Sequence, residues 1–165
     1  MGIKMRIFIA LSLFFLLLLV LPGFSLAIAS PDSSDLVPFE TIDQGEMSYY
    51  RYGDAKFAGA DLIIKDRQTW AWFWTRQTAG IQPVPDLPEI KFSQEMVIVT
   101  LLGYQTSGGG AKIEVREVNR AEGRLQIIVS DNETPGPLDV ITNPFHIVKL
   151  KRVPALSIVF EHQEP

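Results

Sequence analysis

Residues 92–116 read FSQEMVIVTLLGYQTSGGGAKIEVR, and the architecture can be worked out from this stretch. It holds an apolar strand, a glycine-rich turn and a second strand of alternating character. From Met96 to Leu102 both faces are apolar, which is typical of a central strand covered on its two sides. From Ala111 to Arg116 apolar and polar residues alternate, as expected where one face of a strand meets water. We expect the other elements to pack on this pair of strands.

Length, charge and cysteine content exclude several classes of partner and site. The chain has 165 residues, which suits one domain, and 47% of them are hydrophobic. Its formal charge is −4, so we expect no nucleic-acid partner, because binding to a phosphate backbone depends on clustered Lys and Arg. The chain contains no cysteine. This excludes disulfides, thiolate metal sites, a cysteine nucleophile and a lipid-modified N-terminal cysteine.

The N-terminus predicts export. Residues 1–29 combine a basic start, an uncharged apolar run over 7–21 and small residues at Ala27 and Ala29, the pattern of a secretory signal peptide. The alternative is an uncleaved anchor, because the run could reach the ~20 residues that a membrane helix needs. Either way we expect the protein to be extracytoplasmic, whether secreted, periplasmic or on the cell surface, with membrane contact through this segment only. Residues 30–38 predict a flexible linker.

The elements that follow predict an α+β fold over residues 39–163: a single domain of mostly antiparallel β-sheet with one Trp-rich helix packed on it. A turn is expected at 43–45 and a tight hairpin loop at 119–123. Strands are expected, besides the two above, at 39–42, 48–52, 62–65, 124–130, 145–152 and 155–161.

The helix is predicted over residues 67–79. Asp66 is a suitable N-cap residue, and Gly80 is a suitable residue to end the helix at C′. One face collects residues that should bury against the sheet: Trp70, Phe73, Trp74 and Gln77. Trp72 projects away from that face. Two interpretations of Trp72 stay open, a contact in a second layer or an exposed contact residue.

The glycine cluster Gly108-Gly109-Gly110 admits two interpretations. It lacks the G-K-[ST] ending of a phosphate-binding loop and leads into a strand, so it predicts no phosphate or other cofactor site. In the first interpretation it is a hairpin connection that needs positive φ. In the second, glycine permits the close approach of another backbone, and the loop is a docking rim. The candidate partner-binding residues are Tyr104, Thr106, Ser107, Gly108, Gly109 and Gly110, together with Trp72.

No catalytic apparatus is visible. The chain has two histidines, His146 in a predicted strand and His162 near the C-terminus, where we expect fraying. A zinc site would need more nitrogen or sulfur ligands than these, so no metal site is predicted. No serine lies in the G-x-S-x-G context of a nucleophile elbow. We expect the carboxylates to be solvated surface groups, and we predict that the protein is not an enzyme and carries no cofactor.

Four segments carry a family resemblance by their order and spacing. They are Trp70-Ala71-Trp72-Phe73-Trp74, Lys91-Phe92-Ser93 ahead of Glu95-Met96-Val97, Thr106-Ser107-Gly108-Gly109-Gly110, and Thr142-Asn143-Pro144-Phe145-His146-Ile147-Val148. Over residues 60–152 the chain resembles the C-terminal domain of the PrcB family, protease-complex subunits that accompany a secreted serine protease. The chain departs from the family at Lys91, where an aspartate is usual, and at Gly110, where an aromatic is usual. These departures weaken the transfer of partner contacts at the two positions.

The resemblance implies an exported, non-enzymatic domain that binds and stabilises a protease or another exported protein. The competing hypothesis is an envelope domain that binds glycan or peptidoglycan through exposed, nearly coplanar rings. Its candidate rings are Trp72, Tyr49, Tyr50, Tyr52 and Tyr104. A third hypothesis, a hydrolase, would need a cleft with convergent acids or His146 bonded to a serine.

Overall fold

The computed structural model describes residues 35–164 except 52, 53, 55, 107, 135, 139 and 156. The expected signal peptide at 1–29 and most of the expected linker lie outside the described residues, as do Tyr52 and Ser107. The described part of the chain contains one helix and eight strands. These are β1 (Asp35–Leu36), β2 (Phe39–Gly45), β3 (Ala60–Ile64), α1 (Arg67–Gln77), β4 (Glu95–Leu101), β5 (Lys112–Ala121), β6 (Arg124–Asn132), β7 (Phe145–Lys151) and β8 (Ser157–Gln163).

The strands form two four-stranded sheets. The first sheet has the order β1-β5-β6-β8 and the second has the order β2-β7-β4-β3. Neighbouring strands are antiparallel except β6 and β8, which are parallel. The helix α1 packs on the second sheet through a shared apolar cluster. The predicted class, an α+β domain of mostly antiparallel sheet with one Trp-rich helix, is confirmed.

The strand β4 is buried on both faces, as its sequence predicts. Met96 and Ile98 enter the core between the two sheets, where they meet residues of β5 and β6 such as Val115 and Ile127. Val97 and Val99 enter the core between the second sheet and the helix. Alternate residues of one strand therefore serve two cores, and this explains why β4 lacks the polar face that a half-solvated strand shows.

The helix has the predicted position and orientation. Asp66 caps its N-terminus by accepting a hydrogen bond from the Thr69 amide at 2.8 Å. The four predicted inward residues, Trp70, Phe73, Trp74 and Gln77, are all buried. The indole nitrogens of Trp70 and Trp74 donate to carbonyl oxygens of the proline-rich segment, at Pro88 (3.0 Å) and Pro85 (3.3 Å). The tryptophans thereby hold that irregular segment against the helix.

The hairpin interpretation of Gly108-Gly109-Gly110 was wrong. β4 pairs with β3 and β7, whereas β5 pairs with β1 and β6, so the two strands belong to different sheets. Their sequences contain the physical reason: β4 is apolar on both faces and suits the sheet covered on both sides, while β5 exposes a polar face. The segment Gly108-Gly109-Gly110 is therefore a crossing between sheets and not a hairpin turn.

Two local predictions near the N-terminal side of the domain also failed. The expected turn at 43–45 belongs to β2, because Asp43, Gln44 and Gly45 pair with β7 after a register shift that follows Thr41. The expected strand at 48–52 does not form over its described residues 48–51; the preceding residue, Met47, makes an isolated bridge instead. Turn-forming residue types were overridden here by pairing with a long neighbouring strand.

Three boundaries differ in smaller ways. The helix ends at Gln77 with Thr78 as its cap, so Gly80 is not the C′ residue. Gly80 instead leaves room for the ring of Tyr49, because a Cβ on Gly80 would lie 1.9 Å from Tyr49 Cε1. The predicted hairpin at 119–123 is confirmed with a shorter turn, Glu122-Gly123, in which both residues have positive φ. β8 begins and ends two residues later than predicted.

Trp74→Ala should lower the free energy of unfolding by about 3–5 kcal/mol, because it removes a buried ring and leaves a cavity between helix and sheet. Trp72→Ala is the matched control on the same helix and should cost about 1 kcal/mol or less, because Trp72 is exposed. Equilibrium urea unfolding measures both. Equal losses for the two variants would contradict the assignment of the inward face.

Candidate functional site

Two long loops cross between the sheets side by side. The first, residues 103–111, leads from β4 to β5, and the second, residues 133–144, leads from β6 to β7; we call them the loop pair. Both ends of the pair are rooted in neighbouring strands, because Leu101 pairs with Phe145 and Lys112 pairs with Asn132. Gln105 and Thr142 exchange backbone hydrogen bonds of 2.8 and 2.9 Å between the loops. The loop pair is thus held at both roots and by the backbone bridge between Gln105 and Thr142.

Glycine makes the contact between the two loops possible. Gly108 has a φ of +79°, and a Cβ on it would lie 2.3 Å from the Leu138 carbonyl oxygen. A Cβ on Gly136 would lie 2.2 Å from the Gly108 carbonyl oxygen. The predicted close approach of another backbone therefore occurs, but that backbone is the chain's own second loop. Any side chain at Gly108 or Gly136 would push the loops apart.

The second loop presents three exposed aliphatic side chains. Leu138, Val140 and Ile141 are 62%, 43% and 45% exposed, and we call them the apolar tip. Val140 and Leu138 lie against the first loop, since a Cβ on Gly109 would be 3.3 Å from Val140 Cγ2 and 4.0 Å from Leu138 Cδ1. Sequence reasoning missed the apolar tip, because residues in a loop of proline and glycine have no period from which burial can be judged. The signal that could have identified the apolar tip is the presence of several aliphatic residues in a loop.

The predicted docking residues occupy the first loop in different ways. Thr106 is exposed, Tyr104, Gly109 and Gly110 are half-buried, and Gly108 is buried. Ser107 lies outside the described residues. Trp72 does not belong to the loop pair; it lies on the outer face of α1. The structure thus divides the predicted set between two surfaces.

Trp72 is 48% exposed, so the interpretation of it as an exposed residue is confirmed. It lines a cleft of about 380 Å³ with Tyr49, Tyr50, Arg51, Arg76 and Ala79. The Arg76 guanidinium stacks on the Trp72 ring at 3.9 Å from its centroid. Tyr50 approaches the same ring edge-on, with an interplanar angle of 71°. We call this surface the tryptophan cleft.

The rings proposed for glycan stacking are partly available. Tyr49, Tyr50 and Tyr104 are half-buried, and Tyr52 lies outside the described residues. A sugar-stacking platform needs exposed, nearly coplanar rings. Tyr50 is far from coplanar with Trp72, and Arg76 covers one face of Trp72. This geometry offers a glycan less than the sequence suggested.

His162 lies in a cleft of about 300 Å³ between the sheets. The expected fraying was wrong, because His162 belongs to β8 and its two ring nitrogens contact two carboxylates. Nε2 lies 2.8 Å from Asp61 Oδ2 on β3, and Nδ1 lies 2.9 Å from Asp131 Oδ2 on β6. The imidazole therefore connects the edge of the second sheet to the first sheet. Asp61 and Asp131 are not the freely solvated carboxylates that we expected.

This cleft has the convergent acids that a hydrolase would need, yet its groups are already engaged. Asp61 uses Oδ1 to accept a hydrogen bond from Thr100 Oγ1 at 2.7 Å and Oδ2 to contact His162. Burial alone would lower the pKa of His162, but hydrogen bonds to Asp61 and Asp131 and their charges raise it above 6.5. An imidazole with both nitrogens engaged by carboxylates has no free nitrogen with which to act as a general base. The described lining includes no serine or threonine hydroxyl.

His146 has the opposite environment. It is buried on β7, and its Nδ1 accepts a hydrogen bond from the Val115 amide at 2.9 Å. Because Nδ1 is an acceptor, the proton of the neutral ring lies on Nε2, which is 2.9 Å from Thr41 Oγ1 and donates to it. Burial lowers the pKa of His146 below 6.5, and the nearby charge of Glu114 opposes this shift only in part. Its hydroxyl partner is a threonine, so the His–Ser pair that would indicate a hydrolase does not form.

Within the described residues, no group of three or more His, Asp or Glu side chains is arranged to hold a metal ion. No helix in the same part of the chain is long and apolar enough to cross a membrane.

A scan against protein-family models found no match, and searches of the curated proteins and of the solved structures found none either. The resemblance to the PrcB family therefore stays a prediction.

Replacing His162 should remove a pH-dependent part of the stability. A raised pKa in the folded state means that this stability is fully present below pH 6.5 and is lost as the pH rises through the folded pKa. His162→Gln should therefore differ from wild type more at about pH 5.5 than at about pH 8.5. Urea unfolding midpoints at the two pH values measure this. A difference that does not change with pH would contradict the ion pairs.

Replacing His146 should have the reverse pH signature. Its lowered pKa means that stability is complete above pH 6.5 and falls as the pH drops toward the folded pKa, because the unfolded chain binds the proton first. His146→Leu should cost about 1–3 kcal/mol at neutral pH, because the buried Val115 amide loses its acceptor. The variant should also lose part of the decline below pH 6.5 that wild type shows. A variant as stable as wild type at neutral pH would refute the role of this hydrogen bond.

Proposed function

We propose that this chain is an exported binding module that holds a protein partner at the apolar tip and performs no chemistry on it. The observation that carries this proposal is the exposure of Leu138, Val140 and Ile141 on a loop pair that is fixed at both roots. Three exposed aliphatic side chains within four residues of one loop are typical of an interaction site, because clustered exposed apolar surface marks such sites.

The character of the surface favours a protein as the partner. The apolar tip is aliphatic and uncharged, which suits the centre of a protein interface and offers a polar ligand few hydrogen bonds. Its backbone is held by the hydrogen bond from the Leu138 amide to the Gly108 carbonyl oxygen at 3.1 Å. A loop ordered in this way loses little conformational freedom on binding, so more of the burial energy appears as affinity.

We propose a non-catalytic role because both histidine side chains are engaged in structural contacts. His146 is buried between the sheets and His162 is held by two carboxylates. Neither imidazole has a free nitrogen with which to take a proton from a substrate. A binding role needs no such group, which is why the proposal favours it over a hydrolase.

The class of partner follows from the sequence. The pattern of residues 1–29 predicts export, so the partner is an exported or envelope protein. The resemblance to the PrcB family makes a secreted serine protease the first candidate, with stabilisation of that protease as the role of this chain.

Val140→Asp should weaken binding by about tenfold or more, because it places a charge at the centre of the buried contact. Val159→Asp is the matched control, since Val159 is equally exposed but lies on β8, outside the loop pair. Tagged full-length chains would be cross-linked in the envelope of their own cells, and each captured protein would be quantified. Wild type and Val159→Asp should capture a common protein that Val140→Asp loses. If Val140→Asp and Leu138→Asp both retained every protein at wild-type levels, the proposal would be wrong.

A further inference from the structure

The tryptophan cleft has a chemistry that the apolar tip lacks. Its polar side chains are mainly hydrogen-bond donors, and no Asp or Glu lines it. Arg51 already has a partner, because it forms an ion pair with Asp54 and lies over the Phe57 ring. Arg76 makes no ion pair with a carboxylate in the described part of the chain. The Arg76 guanidinium is therefore the charged group of this cleft that is available to a ligand.

Arg76 is already held in position. Its guanidinium stacks on Trp72 and donates through Nη1 to the Trp72 carbonyl oxygen at 3.1 Å. This single contact leaves the other N–H groups of the guanidinium available. A guanidinium fixed by stacking loses little conformational freedom when it binds a ligand. This favours a contact in which two of its N–H groups donate to the two oxygens of a carboxylate.

The indole nitrogens show a second difference. Trp70 and Trp74 donate to carbonyl oxygens of Pro88 and Pro85, whereas the Trp72 indole makes no hydrogen bond within the described residues. The cleft thus combines a positioned cation with the rings of Trp72 and Tyr50, and the Trp72 N–H has no partner among the described residues. A ligand that matches it has a carboxylate next to an apolar group.

We propose that the tryptophan cleft binds a glutamate or aspartate side chain in an acidic, extended segment of the protein partner. A polypeptide is favoured over an acidic glycan because Arg76 covers one face of Trp72 and Tyr50 is edge-on to it, so no pair of coplanar rings is free for a sugar. The assignment of a protein ligand rests on the proposed function. In this proposal the partner makes an ion pair with Arg76 in addition to its apolar contact at the loop pair.

Nuclear magnetic resonance titrations of the full chain, purified as its host processes it, test this proposal. The probe is a terminally blocked hexapeptide that alternates glutamate with leucine, and its control carries glutamine in place of each glutamate. The glutamate peptide should shift the Trp72 indole N–H resonance and bind about tenfold tighter than the glutamine peptide. Arg76→Gln should abolish that preference. Arg67→Gln removes the same charge at the other end of α1 and should preserve it.

Equal affinity for the two peptides, or a preference that survives Arg76→Gln, would overturn the proposal. An oligogalacturonate that binds more tightly than the glutamate peptide would overturn the assignment to polypeptide. The experiment is independent of the apolar tip, because Val140→Asp should leave the peptide titration unchanged. Loss of captured protein in Val140→Asp and loss of peptide binding in Arg76→Gln therefore report on separate surfaces.

Discussion

A buried imidazole bonds the two sheets to each other at a point where the strand pairing is irregular. His146 extends from β7 of the second sheet and accepts the amide proton of Val115 on β5 of the first sheet. It also donates to Thr41 on β2. Both contacted strands have a register shift next to these residues, between Thr41 and Asp43 and between Val115 and Glu117. Without an acceptor, the buried Val115 amide would carry the full cost of its desolvation. The ring therefore satisfies a backbone amide at an irregular point of β5 and bonds that strand to the second sheet.

The packing of the two sheets positions the loop pair, whose ends are rooted in both. Both loops of the pair cross from one sheet to the other, so the distance between the loops depends on how the sheets pack. The backbones of Gly108 and Gly136 are in such close contact that neither position has room for a side chain. His162 makes a second connection farther out, from β8 to Asp61 on β3. The helix packs on the outer face of the second sheet and leaves Trp72 and Arg76 facing solvent. Both histidines are thus engaged in contacts between strands, whereas Trp72 and Arg76 remain at the surface.

Much of the fold could be predicted because burial follows periodicity. The alternate residues Met96 and Val97 of β4 enter different cores as their pattern indicates, and the inward face of α1 follows from its helical spacing. What failed was the choice of partners. Nothing in the chain between Leu101 and Lys112 distinguishes a hairpin from a crossing, because glycine permits both. The contacts of His162 with Asp61 and Asp131 were missed for a related reason, because these residues are far apart in sequence and only the packing of the sheets brings them together. The apolar tip was missed because its loop has no periodicity from which exposure could be judged.

Both histidines make structural contacts, His146 between the sheets and His162 between two carboxylates at their edge. Nitrogen-15 spectra of the histidine rings, followed from about pH 5 to about pH 8, test this directly. His146 should keep an unprotonated Nδ1, bonded to the Val115 amide, at pH values where His162 already carries protons on both nitrogens. A His146 ring with its proton on Nδ1, or a His162 ring that becomes protonated only at lower pH than His146, would contradict these roles.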